Sequence, residues 1–185
     1  MGLCMSKEAV KNKAMFKDLD SDNSHTISKD EMSTFIEKHA ELWAMLGVNL
    51  GIGEDKCREI ATNVAYSLAC DSKSDNTTSL SENQFLNFTT NYVNSPKGQQ
   101  EFFHRTVFAT FDVDGDNTLD TKELDRFLDT FYEAGSIFKG DKRLPEKEVL
   151  RQIVNDRLDK DGDGKLSFDE IHMLISGSAD LSPLV

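Results

Sequence analysis

Three segments of this 185-residue chain carry oxygen-bearing side chains in one repeated pattern. They are Asp20-Ser-Asp22-Asn-Ser24-His25-Thr26-Ile27-Ser28-Lys-Asp-Glu31, Asp112-Val-Asp114-Gly-Asp116-Asn117-Thr118-Leu119-Asp120-Thr-Lys-Glu123 and Asp159-Lys-Asp161-Gly-Asp163-Gly164-Lys165-Leu166-Ser167-Phe-Asp-Glu170. Counted from the first Asp, each places oxygens at positions 1, 3, 5 and 9 and a Glu at position 12. A hard cation such as Ca²⁺ takes about 6–8 oxygen ligands, and alternate residues of a tight turn can aim theirs inward. Position 7 would give a backbone carbonyl, which leaves the side chains of Thr26, Thr118 and Lys165 free to differ. The terminal Glu opens the next helix and offers two oxygens at once. The spacing therefore predicts three cation sites: Asp20, Asp22, Ser24, Thr26 and Glu31; Asp112, Asp114, Asp116, Thr118 and Glu123; Asp159, Asp161, Asp163, Lys165 and Glu170.

Such ligands must be held by helices on both sides, and the flanks read that way. Met15, Phe16 and Leu19 precede the first loop, Phe108 and Phe111 the second, and Val154 and Leu158 the third. Met32, Phe35 and Ile36, then Leu124, Phe127 and Leu128, then Ile171, Leu174 and Ile175 follow them. These are core faces at i, i+3, i+4 spacing. Position 8 is apolar each time (Ile27, Leu119, Leu166), as a short strand pairing two loops requires. Helix, twelve-residue acidic loop and helix is the EF-hand calcium unit. Acidic helix caps or solvated turns could mimic one such match, but not three with helical flanks.

The three loops are not equal. Position 6 needs a positive φ, where Gly is best and Asn or His cost more; the loops place His25, Asn117 and Gly164 there. The first loop has three ligating carboxylates (Asp20, Asp22, Glu31), and the second has five when Asp120 is counted. Ligand charge tunes affinity, so the first site is expected to be the weakest.

EF-hands pair, and three loops ask for a fourth. The candidate is Asp71-Ser-Lys-Ser-Asp75-Asn-Thr77-Thr-Ser79-Leu80-Ser-Glu82-Asn-Gln84. The entering helix (Ile60, Val64, Tyr66, Cys70) sets the start at Asp71, whereas Leu80, Phe85 and Phe88 put position 12 at Gln84 and the start at Lys73. In the short register Glu82 stands at position 12. The loop thus reads as two residues too long, a structural hand bracing the first loop, with a weak or magnesium-like site as the alternative. A long helix is expected from Ser33 through Leu50, and a second connector broken around Lys139-Gly-Asp-Lys-Arg-Leu-Pro145. Asn94-Ser-Pro96-Lys-Gly98 reads as a linker, short enough that the two lobes should touch. The expected organisation is 1–93, an N-terminal pair with a basic leading segment; 99–176, a C-terminal pair; and 177–185, a tail.

The formal net charge is −12, from 33 acidic and 21 basic residues. The three loops hold 14 of the acidic groups against four lysines, a net of −10. The acidity is mostly ligand, and it argues against a nucleic-acid partner, which needs a basic face. No apolar run approaches the ~20 residues that span a bilayer, and no secretory apolar stretch opens the chain. The three cysteines (Cys4, Cys57, Cys70) are scattered and odd in number, which fits a reducing cytosol rather than a disulfide scaffold. The four histidines are dispersed and no nucleophile–base pair or phosphate-binding glycine loop is present, so no enzyme is expected.

The chain opens Met1-Gly2-Leu-Cys4-Met-Ser6-Lys7. Gly2 with Ser6 matches the N-myristoylation pattern, and Cys4 stands where palmitate is often added. One acyl chain anchors marginally, whereas two, or one with basic residues, anchor stably. Lys7, Lys11, Lys13 and Lys17 against Glu8 give the first 17 residues a charge of +3, attractive to an anionic cytoplasmic leaflet.

The whole chain resembles the EF-hand superfamily. Intact hands one, three and four with a defective second resemble sarcoplasmic calcium-binding proteins and the calcium-regulated photoproteins, and Ser182-Pro-Leu-Val185 is similar to sarcoplasmic-type termini. The opening residues are similar to those of acylated sensors: neuronal calcium sensors, plant calcineurin B-like proteins and flagellar calcium-binding proteins of trypanosomatids. Neuronal sensors have a disabled first hand, unlike Asp20–Glu31, and photoproteins use several Trp where this chain has one. The resemblance implies an all-α fold of two EF-hand pairs, with short paired loop strands, in a compact arrangement. It implies three Ca²⁺, with Mg²⁺ a candidate occupant at rest. The leading expectation is an acylated calcium sensor at the cytoplasmic face of a membrane, exposing apolar surface to a target protein or helix. The alternatives are a cytosolic buffer of the sarcoplasmic type and a regulatory subunit of a phosphatase or kinase.

Overall fold

The computed structural model of the chain describes residues 7–70, 79–133 and 146–176. They fall into two units, Met1–Thr106 and Val107–Val185.

In the first unit, α1 (Lys7–Leu19), β1 (Thr26–Ser28) and α2 (Lys29–Glu37) form the first hand. After α3 (Ala40–Asn49) come α4 (Glu54–Ala69), β2 (Ser79–Ser81) and α5 (Glu82–Phe88). β1 and β2 pair antiparallel, Thr26 with Ser81, Ile27 with Leu80 and Ser28 with Ser79. Ile27 and Leu80 are completely buried, each contributing about 1.5–3 kcal/mol of apolar burial. Beneath them the rings of Phe16 and Phe35 meet Phe85 at 5.9 and 6.0 Å, and Phe35 meets Phe88 at 6.2 Å edge-on. Hand two therefore shares a core with hand one whatever its loop can bind.

The long helix expected from Ser33 through Leu50 is two helices. α2 ends at Glu37, and α3 starts at Ala40 after a turn at Lys38 and His39. Trp43 supplies the reason. Its buried indole Nε1–H donates to the Ile36 carbonyl at 2.9 Å, and the same carbonyl takes the His39 N–H at 3.0 Å. The oxygen that an α-helix would offer to residue 40 is thus already engaged. Trp43 and Leu46 are core, whereas Leu42, Met45 and Val48 of α3 are exposed.

Residues Asn94–Gly98, expected to link the lobes, are built into structure instead. The π-helical turn Thr89–Val93 continues α5, and α6 (Pro96–Phe111) begins at once. Pro96 takes the first helical position, where its missing N–H costs nothing. The Ser95 hydroxyl accepts the Gly98 N–H at 3.3 Å. Gly98 serves close approach rather than flexibility: a Cβ there would lie 1.7 Å from the Asn91 carbonyl oxygen. The start of α6 belongs to the first unit, because Phe102 packs edge-on against Trp43 at 5.7 Å and Phe88 at 5.9 Å. The boundary accordingly falls inside α6, after Thr106, and not at 94–98. Buried Asn12 of α1 accepts from Asn94 at 3.1 Å and donates to Thr90 at 3.5 Å, tying this segment to the first helix.

The second unit contains the end of α6, β3 (Thr118–Leu119), α7 (Thr121–Glu133), α8 (Lys147–Arg157), β4 (Leu166–Ser167) and α9 (Phe168–Ile175). β3 and β4 pair antiparallel through Leu119 and Leu166. Leu124, Phe127, Leu128 and Phe131 form the buried stripe of α7, and Leu150, Ile153 and Val154 of α8 and Ile171, Leu174 and Ile175 of α9 are buried as well. The expected connector break at 139–145 lies outside the described residues. The elements are helices with only short loop strands, the all-α pattern expected. No helix among the described residues is long and apolar enough to cross a membrane.

Candidate metal centres

Each complete loop winds around its first aspartate. Asp20 accepts the N–H of Ser24 at 2.8 Å on one oxygen and of His25 at 3.0 Å on the other. Asp112 takes Gly115 and Asn117 at 2.8 and 3.1 Å, and Asp159 takes Gly162 and Gly164 at 2.7 and 3.1 Å. Bending the chain this tightly puts position 6 at positive φ: 60° at His25, 66° at Asn117 and 79° at Gly164. It puts position 4 there as well, at Asn23 (56°), Gly115 (73°) and Gly162 (72°). Sequence reasoning missed position 4, although Asn or Gly stands there in all three loops. A side chain in this region costs about 1–2 kcal/mol per residue, less for Asn. The first loop carries two such residues, the second one and the third none, which adds to the reasons for ranking the first loop weakest.

The glutamate at position 12 closes each loop. Glu31 Oε1 accepts the Ser21 N–H at 2.8 Å and Oε2 the Ser28 N–H at 2.9 Å. Glu123 does the same with Val113 (2.7 Å) and Asp120 (3.0 Å), and Glu170 with Lys160 (3.0 Å) and Ser167 (2.8 Å). One carboxylate thus joins position 2, on the entering side, to position 9, on the exiting side. The residue at position 9 caps the exiting helix in return: Ser28 accepts the Glu31 N–H at 3.2 Å, and Ser167 completes the same capping box with Glu170. Asp120 accepts the Lys122 and Glu123 N–H groups at 2.7 and 2.9 Å with Oδ1, so its counting as a fifth ligating carboxylate overlooked a helix cap.

These bonds gather three carboxylates per loop. Oxygens of Asp20, Asp22 and Glu31, of Asp112, Asp114 and Glu123, and of Asp159, Asp161 and Glu170 lie within 4.8 Å of one another. Three converging anionic oxygens suit a hard cation such as Ca²⁺. Position 5 is engaged differently. Ser24 contacts the Thr26 hydroxyl at 3.0 Å, Asp163 Oδ1 accepts the Lys165 N–H at 2.7 Å, and Asp116 Oδ1 accepts the Thr118 N–H at 2.8 Å. Asp116 Oδ2 meets the Lys165 ammonium, and this contact with the Thr118 bonds lowers its pKa to about 2. Burial pushes Asp112 upward, only partly offset by the Asn117 and Gly115 N–H groups, and the neighbouring carboxylates add to the rise. At Glu31 and Glu170 burial also pushes upward, but backbone and serine donors outweigh it and hold both below the usual range.

The second hand has the same exit without the same ligand. Ser81 and Gln84 form a capping box: Gln84 Oε1 accepts the Ser81 N–H at 2.9 Å, and Ser81 Oγ accepts the Gln84 N–H at 3.4 Å. With Leu80 opposite Ile27, this sets Gln84 at position 12. Glu82, the rival for that position, begins α5 and pairs with Lys13 at 3.3 Å. Ser81 stands twelve residues after the end of α4, where Ser28 stands nine after the end of α1. Residues 71–78 lie outside the described residues, as do Gly2 and Cys4.

Residues 101–176 match the family model described as an EF-hand domain pair. An Arabidopsis thaliana protein named "Probable calcium-binding protein CML31" is 35% identical over 69 residues, 37% of this chain and 43% of that protein. The alignment thus spans less than half the length of that curated relative. A solved structure titled "Crystal structure of okadaic acid binding protein 2.1" aligns over 98% of this chain and 92% of its own at 12% identity, with a TM-score of 0.35, too loose a likeness to inform fold or site. Residues 101–176 thus match an EF-hand domain pair, and Asp20–Glu31 in the first unit repeats the same loop architecture.

Proposed function

We propose that the protein binds three Ca²⁺, at Asp20–Glu31, Asp112–Glu123 and Asp159–Glu170, and acts as a calcium sensor held at a membrane by acyl groups on Gly2 and Cys4. The observation that carries the calcium reading is the threefold recurrence of one arrangement: carboxylates at positions 1, 3 and 12 within 4.8 Å. Each candidate ligand set offers anionic oxygens from both ends of its loop, and the positive-φ residues let the backbone turn around the ion. Asp71–Gln84 stays outside the ligand set, because Gln84 offers one acceptor where Glu offers two.

Two features support a sensor over a buffer. Leu42, Met45 and Val48 leave apolar surface exposed on α3. An open groove of about 540 Å³ is lined by Leu42 together with Phe35, Trp43, Tyr92, Phe102 and Phe103. The anchoring half rests on Gly2, Cys4 and Ser6, and on Lys7, Lys11, Lys13 and Lys17, all four exposed along α1. An anionic leaflet attracts such a face by about 1 kcal/mol per Lys or Arg near the surface.

Calorimetric titration with Ca²⁺ is expected to give three sites. Flotation of native and Gly2→Ala protein with anionic vesicles, with and without Ca²⁺, tests the anchor. The native protein is expected to float and the variant to stay in solution; equal partitioning of the two would overturn acyl anchoring and leave the calcium reading standing.

A further inference from the structure

The two loops of the second unit are not mirror images at their contact. Lys165, position 7 of the loop 159–170, reaches across to Asp116, position 5 of the loop 112–123. The reverse contact cannot form, because position 7 of the loop 112–123 is Thr118. That threonine turns back on its own loop, its N–H and hydroxyl both directed to Asp116 Oδ1. Every carboxylate oxygen of Asp116 is thereby engaged, one by Thr118 and one by an ammonium from the neighbouring hand. The corresponding residue of the other loop, Asp163, accepts the Lys165 backbone N–H.

We propose that Lys165 is a built-in competitor for the metal at Asp112–Glu123, occupying Asp116 until a bound Ca²⁺ displaces it. This rests on the calcium reading above. A cation entering among Asp112, Asp114 and Glu123 needs an Asp116 oxygen to complete its shell, and the ammonium must withdraw for that oxygen to turn. Only its backbone carbonyl is needed at position 7 of the loop 159–170, so the lysine side chain is free for this task. The device runs in one direction: the side chain of one hand restrains the affinity of its neighbour. Both side chains are about two-fifths exposed (42% and 36%), so solvent screens the pair and its weight is modest, about two- to five-fold in affinity.

The test is a Ca²⁺ titration of the full chain followed by the NMR amide signals of Asn117 and Gly164, one reporter in each loop. Lys165→Gln is expected to tighten the loop 112–123 by about two- to five-fold, and Lys165→Arg, which keeps the cation, to leave it near the native value. Lys122→Gln makes the same charge change within the loop 112–123 without touching Asp116, and should gain less than Lys165→Gln. Equal gains from Lys165→Gln and Lys122→Gln would reduce the effect to net charge and overturn the proposal, as would no change or a loss in Lys165→Gln. Silence of both reporters toward Ca²⁺ in the native chain would overturn the calcium reading itself and the proposal with it.

Discussion

Hands one and two leave their loops through nearly identical structures. Each has a three-residue strand, a fully buried residue at its centre and a serine capping the next helix. At the exit, the difference lies in one side-chain atom. Glu31 takes Ser28 with one oxygen and reaches back to Ser21 with the other. Gln84 repeats the first bond to Ser81, but its second terminal atom is an NH₂ group, a donor that cannot accept a backbone N–H or face a cation. A glutamine therefore preserves the helix cap and the shared strand while removing loop closure and half of a bidentate ligand. Bracing and binding separate at that atom.

The sharpest way to break this comparison is to remove the brace. Leu80→Ala is expected to destabilise the protein by about 2–5 kcal/mol and to weaken Ca²⁺ binding at Asp20–Glu31, although Leu80 belongs to the hand outside the ligand set. Thermal unfolding and calorimetry would read both effects; an unchanged first site would separate the two hands. Glu31→Gln, which gives hand one the side chain of hand two, should weaken the first site by at least roughly tenfold and leave the other two. The reverse change, Gln84→Glu, should add no fourth site, because the loop remains too long; calorimetric stoichiometry decides.

Smaller changes sharpen the point. Ser81→Ala removes a cap and should cost about 1 kcal/mol of unfolding free energy with the Ca²⁺ stoichiometry unchanged. Glu82→Gln loses an exposed pair with Lys13 worth about 0–1 kcal/mol; losing a Ca²⁺ site in that variant would restore the register with Glu82 at position 12. The smallest difference is in acid. Glu31 titrates below its ordinary 4.5 in the fold, so its contribution is present above that value and fades as pH falls through the lower folded pKa. Gln84 contributes nothing of the kind. An acid titration of the metal-free protein should lose part of this acid-side slope in Glu31→Gln.

The clustering of the carboxylates at positions 1, 3 and 12 was legible in the sequence because the loop pattern repeats at fixed local spacing: alternate oxygens, an apolar residue at 8 and a glutamate at 12. The core faces of α7, α8 and α9 were legible for the same reason, since their 3.6-residue period is local. The break between α2 and α3 was not. It depends on an indole finding a carbonyl seven residues back, and the apolar spacing through Ser33–Leu50 reads equally well as one helix. Nor was the start of α6, where Ser-Pro-Lys-Gly has linker composition, yet Gly98 is there because Asn91 passes too close for a side chain.

By itself, then, the sequence determined the number of acidic loops, their candidate ligands, their unequal residues at position 6 and the excess length of the second hand's loop. All of these follow from the identity of residues within a dozen positions of one another. Only the tertiary structure decided the register of the second hand, the double duty of each position-12 glutamate and the reach of Lys165 to Asp116, 49 residues away. Each depends on which backbone donors and charges the paired loops bring within bonding distance. No local pattern carries that information.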